Sequence, residues 1–195
     1  MRDAIRGKQF VGKLEFALIP HLLDEPSHDC FVLLFVHNFT MAPVLECIIL
    51  IGLPGAGKTT FYQQRFADTH LHVSKDFWPN ATQRSARQQK LIAEIFSLGK
   101  SAVIDNTNPG KTDRAPLIRL AHDHGARVIG YFFDVTTRAA VARNANRSRR
   151  GKVPNVAIFA AAKRLQPPVR REGFDELFRI EINEDRSLRI SKMSD

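Results

Sequence analysis

Cysteine is nearly absent from this 195-residue chain, which has two, Cys30 and Cys47. That is too few for a disulfide framework, and a reducing, cytoplasmic setting is expected. Tryptophan and tyrosine are scarce, at one and two residues. Long apolar runs are missing as well. Phe16–Ile19 and Phe31–Val36 are interrupted by Pro20, Pro26 and charges. Neither approaches the roughly 20 apolar residues of a membrane helix, so no membrane association is expected. No unbroken apolar segment leads to a small-residue cleavage site, which argues against a signal peptide. Internal repeats and low-complexity segments are lacking. Acidic residues are outnumbered 20 to 29 by basic ones, giving a net charge of +9. The chain therefore leans towards acidic partners such as nucleotides or nucleic acid. With 44% hydrophobic and 25% charged residues, the rest is the composition of one ordinary globular domain.

The most informative stretch is Gly52-Leu53-Pro54-Gly55-Ala56-Gly57-Lys58-Thr59-Thr60. It matches G-x-x-x-x-G-K-[ST], a phosphate-binding loop whose meaning depends on its context. The mostly apolar run Leu45–Ile51 precedes it and suits a buried parallel strand. Phe61–Asp68 follows and continues a helix. Strand, glycine-rich turn and helix together turn backbone N–H groups onto phosphate oxygens, reinforced by the helix dipole. Lys58 is expected to reach the β- and γ-phosphates, and the Thr59 hydroxyl to sit on Mg2+.

From Met41 onward, strand and helix signals alternate as in a parallel α/β sheet. Strands are expected at 71–74, 101–105, 127–135 and 177–182. Helices are expected at 82–98, 112–124, about 136–147 and about 155–165, the first two ended by Gly99 and Gly125. Residues 1–40 read as an N-terminal extension, with an extra edge strand at 31–36 as the alternative. The domain that carries the phosphate loop is expected over 41–183, and 184–195 as a polar tail.

Ligands of open α/β sheets bind beyond the carboxyl ends of the strands. Lys75 and Asp76 follow the second strand there, and Asp105-Asn106-Thr107-Asn108-Pro109 ends and follows the third. Asp76 is the candidate general base, since a carboxylate can orient and deprotonate an acceptor hydroxyl. Asp105 is the candidate to bind the water shell of Mg2+ or to hold Asp76 in place. Asn106 and Asn108 either orient neighbours or cap the turn. The segment 143–152 holds five cations and no acid, and suits a lid over a polyphosphate. Arg143 and Arg147, four apart on one helix face, are expected to reach the phosphates, with Arg149 and Arg150 as competing lid or nucleic-acid contacts. His70 and His72 have no metal-site spacing. Trp78 either stacks on a base or packs.

The phosphate loop, Lys75-Asp76, Ile104–Pro109 and the Arg-rich lid resemble the kinase domain of polynucleotide 5′-hydroxyl kinases. That group lies in the AAA/P-loop NTPase superfamily, whose small bacterial ATP-binding proteins this chain also resembles. The likeness runs over about residues 45–165. It implies a three-layer P-loop kinase fold with a five-stranded, mainly parallel sheet in the order 2-3-1-4-5. It further implies ATP and Mg2+ use, Asp76 activating a 5′-hydroxyl, and a lid arginine on the phosphates. The chain departs from the pattern at Lys75, where the family often has Arg, and at Pro79, where phage-type members carry Arg. No D-x-D-x-T phosphatase motif is present. The expected activity is transfer of the γ-phosphate to a hydroxyl, foremost a 5′-hydroxyl of DNA or RNA. The alternatives are a small-molecule or tRNA-linked kinase and a non-catalytic ATP-binding regulatory protein.

Overall fold

A computed structural model describes residues 44–147, 151–183 and 187–194. The expected extension at 1–40, and the alternative strand at 31–36, lie outside the described residues. The elements in chain order are β1 (Glu46–Ile51), α1 (Lys58–Arg65), β2 (Leu71–Val73), α2 (Arg84–Ser97), β3 (Ala102–Asp105), α3 (Lys111–Asp123), β4 (Arg127–Phe133), α4 (Thr137–Ala145), α5 (Asn155–Arg164), β5 (Glu176–Ile182) and β6 (Leu188–Lys192). Short 3-10 turns occupy Lys75–Phe77 and Arg170–Glu172.

The sheet order is β2-β3-β1-β4-β5-β6. The first five strands run parallel and β6 runs antiparallel to β5. The fold is α/β of the P-loop kinase type, and the order 2-3-1-4-5 holds within it. The strand count is corrected from five to six. Leu188–Lys192, in the segment expected as a polar tail, pairs along β5 from Phe178↔Lys192 to Ile182↔Leu188.

β1 lies at the centre and is apolar on both faces, as a doubly covered parallel strand must be. Cys47, Ile49 and Ile51 face a core layer shared with Ile92, Ile95 and Phe96 of α2 and Leu117, Ile118 and Ala121 of α3. Ile48 and Leu50 face the opposite layer, with Phe61 of α1, Ala140 of α4 and Ile158 of α5. Burying each such Ile or Leu contributes about 1.5–3 kcal/mol. The two cores hold the sheet between helices, and because its first five strands are parallel the connections that follow them emerge at one edge. Glycines with positive φ, Gly99 and Gly125, follow α2 and α3 at the expected places. Among the described residues, no helix is long and apolar enough to cross a membrane.

Candidate active site

The phosphate loop leaves β1 at Gly52, whose N–H donates to the Thr107 carbonyl at 3.0 Å. Gly55 sits at φ +81, and a Cβ there would lie 2.8 Å from the Ala140 carbonyl oxygen. Only glycine therefore fits where the loop passes α4. α1 begins at Lys58 with no side-chain cap and no acidic residue in its first turn. Its first N–H groups and its dipole are thus left for an anion. Leu53 and Ala56, both buried, support the loop from behind.

Pro54, Gly55, Gly57, Lys58, Thr59 and Thr60 line a cleft of about 810 Å3. Lys75, Asp76, Asp105, Asn106 and Arg147 line the same cleft. Gly52, Leu53 and Ala56 are not among its lining residues. Segments far apart in sequence therefore meet at one place, the carboxyl edge of the sheet.

The Lys58 amine donates to the carbonyls of Gly52 at 3.0 Å and Leu53 at 2.8 Å. Burial pushes it down to about 8; Asp105 and Asp76 oppose that shift and Arg147 adds to it. The Thr59 hydroxyl donates to Asp105 Oδ2 at 2.6 Å, and His72 Nε2 lies 3.1 Å from the same oxygen. Burial pushes the Asp105 carboxyl up, but the hydrogen bonds from His72 and Thr59 and the Lys58 charge outweigh it, so the group stays below its usual range. Among the described residues, Oδ1 of Asp105 has no hydrogen-bond partner. Its other oxygen takes both contacts, so Oδ1 is the one left for a ligand.

Asp76 sits on the 3-10 turn after β2. The Ser74 hydroxyl caps that turn by accepting the Asp76 N–H at 3.3 Å. Asn106 Oδ1 accepts the Lys75 N–H at 2.9 Å, so the loop after β3 also holds the turn. The exposed Asp76 carboxylate makes no ion pair or hydrogen bond among the described residues. Asn108, at φ +42, lines the cleft and donates from Nδ2 to the Leu50 carbonyl at 2.8 Å, which ties the loop after β3 to β1.

The basic segment departs from expectation. α4 ends at Ala145, so Arg147 lies beyond the helix, where its N–H donates to the Asn144 carbonyl at 3.2 Å. Arg143 and Arg147 thus do not share one helix face. Arg147 reaches the cleft; Arg143 is not among its lining residues, and its Nη1 is buried with no hydrogen-bond partner among the described residues. Arg149 and Arg150 lie outside the described residues. Trp78 meets Phe77 edge to face at 6.0 Å between centroids.

Four contributing residues were missed by sequence reasoning. His72 bonds Asp105, and its only sequence signal was its place on β2. Asn144 is fully buried and bonds both N–H and C=O of Val153, pinning the base of the basic loop. Arg114 and Glu172 form a buried ion pair behind the loop after β3.

Among the described residues, no cluster of three or more His, Cys, Asp or Glu could hold a metal ion. A Mg2+ ion here would need oxygens of a bound phosphate as well as Thr59 and Asp105, which is the usual mode for that ion.

Known proteins are similar to this chain. A protein of Acanthamoeba polyphaga mimivirus, provisionally named a bifunctional polynucleotide phosphatase/kinase, is 29% identical over 158 residues, covering 73% of this chain. The chain spans only 35% of that relative's length. The crystal structure of Chaetomium thermophilum Kti12 in complex with ADP-AlF3 matches with a TM-score of 0.59 at 18% identity. That match covers 72% of this chain and 92% of Kti12. A sugar kinase from Janibacter sp. HTCC2649 matches with a TM-score of 0.54 at 15% identity, over 70% and 85% of the two chains. These structural likenesses establish the fold alone. The model of the AAA domain family matches residues 47–168, the span that carries both the phosphate loop and the opposing wall of the cleft, and the chain belongs to that family.

Proposed function

We propose that this chain is an ATP-dependent kinase that passes the γ-phosphate to a hydroxyl, namely the 5′-hydroxyl of a DNA or RNA end. The observation that carries the reading is Asp76: an unpaired carboxylate on the wall of the cleft that the phosphate loop also lines. A triphosphate site alone serves many chemistries, whereas a free carboxylate beside it supplies a proton acceptor for an incoming hydroxyl.

The residues divide the work as follows. The loop N–H groups and the start of α1 hold the β- and γ-phosphates, and Lys58 adds its charge. Thr59, whose proton is spent on Asp105, and Asp105 are the residues that would hold a Mg2+ ion, which would supply charge neutralisation for the transferring phosphoryl group. Asp76 orients the acceptor hydroxyl and takes its proton as the oxygen bonds to the γ-phosphorus, while the bond from that phosphorus to the bridging oxygen breaks and ADP leaves with the electron pair. Arg147 balances negative charge on the phosphoryl oxygens.

The side chains of Lys75 and Arg84 line the cleft and have no carboxylate partner among the described residues. Two unpaired cations beside the base favour an acceptor that carries phosphate, and so support a nucleic-acid end over a neutral sugar. The name of the mimivirus relative supports the same choice. The test is transfer of labelled phosphate from ATP to a panel of 5′-hydroxyl oligonucleotides, nucleosides and sugars. Transfer to oligonucleotides is expected; labelling of sugars or nucleosides alone would give the small-molecule reading, and labelling of nothing would leave an ATP-binding protein.

Lys58 adds a pH signature. Its amine titrates near 8 in the free chain, so part of the population is neutral at that pH. A bound polyphosphate favours the charged form and raises that value. ATP binding at pH 8 is therefore expected to take up protons, and affinity to fall as pH climbs above 8. Calorimetry in two buffers of different ionisation enthalpy measures the uptake; identical heats in both would contradict the assignment.

A further inference from the structure

The structure adds a residue to this site. We propose that His72 is a positioning residue that fixes the Asp105 carboxylate for the Mg2+ ion. The inference rests on the kinase reading above but concerns a side chain outside the phosphate loop.

Register brings the two together. His72 pairs with Val103 across β2 and β3, and side chains two residues apart along a strand share a face. Asp105, two residues beyond Val103, therefore comes within reach of the His72 ring. Two aromatic contacts hold that ring. Tyr62 stacks on it at 4.2 Å between centroids and 13° between planes, and Phe77 meets it edge to face at 5.3 Å. With its proton on Nε2, His72 donates to Asp105 Oδ2 at 3.1 Å. Thr59 donates to the same oxygen. Two donors converging on Oδ2 lock the carboxylate and leave Oδ1 without a donor among the described residues. A carboxylate held in one rotamer loses less conformational freedom when it engages an ion, and such outer partners commonly set metal affinity by 10–100-fold.

The test compares two variants by nucleotide binding in the presence and absence of Mg2+, without turnover. His72→Phe keeps a ring against Tyr62 and removes the donor. His72→Gln keeps a donor and removes the ring. The ratio of ATP affinities with and without Mg2+ is expected to fall about tenfold in His72→Phe, in line with other outer-shell partners. Affinity for metal-free ATP should stay within about twofold, since His72 is not among the residues proposed to hold phosphate. His72→Gln should recover part of the ratio. In an Asp105→Asn background, His72→Phe should add nothing, because coupled residues are non-additive.

An unchanged Mg2+ ratio in His72→Phe would overturn the inference while leaving the kinase reading intact. Equal loss of metal-free and Mg2+-dependent binding in both variants would overturn it as well, because it would show that His72 merely supports the fold. No ATP binding by the unaltered chain would remove the kinase reading itself, and this inference with it.

Discussion

Asp76→Asn is expected to abolish phosphoryl transfer, with a loss of about 10²–10⁴-fold in kcat, the usual contribution of a positioned proton acceptor. ATP affinity should remain. The substitution preserves shape but not the ability to accept a proton. It also disturbs little, because the carboxylate is exposed and engages no partner among the described residues. Its backbone N–H, which bonds Ser74, is unchanged. Stability should therefore shift by no more than about 0.5 kcal/mol, as for other surface substitutions away from special features. Single-turnover transfer to a 5′-hydroxyl oligonucleotide, paired with nucleotide binding, separates the steps. Near-normal turnover would remove Asp76 as the base; loss of ATP binding would assign it a role in the nucleotide half of the cleft instead.

Arg114→Met is expected to produce the largest fall in stability. The guanidinium is fully buried and makes five hydrogen bonds. Two go to Glu172, each at 2.8 Å, and one each to the carbonyls of Asn108, Pro109 and Gln166, at 3.1 Å. Methionine fills much of the volume but leaves Glu172 as a buried carboxylate without its cation. Breaking a buried pair in this way costs about 3–5 kcal/mol, a large share of the 5–15 kcal/mol that holds a domain together. Urea unfolding measures it. Removing the stranded charge with a second change, Glu172→Gln, should restore part of the loss. A fall of under about 1 kcal/mol would show that water reaches Glu172 when Arg114 is gone. Because Arg114 grips the carbonyls of Asn108 and Pro109, the same change should loosen the loop that carries Asn106.

The legibility of these features follows their sequence range. β1, the phosphate loop and the start of α1 are contiguous, and the loop's chemistry depends on adjacent residues, so the motif with its flanks revealed them. The helix ends at Gly99 and Gly125 were readable for the same reason, since a left-handed residue is a local demand. β6 was hidden because Leu188–Lys192 is an edge strand with mostly exposed side chains, and its register comes from β5 rather than from an apolar pattern of its own. His72 is separated from Asp105 by 33 residues and Arg114 from Glu172 by 58; spacing along the chain carries no trace of either pair. The extent of α4 was overread because a basic run without a breaker looks helical, whereas the helix ends at Ala145 and the Asn144 side chain in its last turn captures Val153.

The central place of β1 also bears on how the chain matures. β1 is synthesised before both of its neighbours, β3 and β4, and its phosphate loop is braced at Gly52 by Thr107. A nascent or truncated chain can carry the whole glycine motif and still lack the scaffold that shapes it. Capacity to hold a nucleotide therefore arrives only after strands distant in sequence have paired, a step that favours slow folding. ATP at a hundred times its dissociation constant would then reward the finished fold with about 2.7 kcal/mol, making the nucleotide a selective ligand for chains that have completed synthesis through β4.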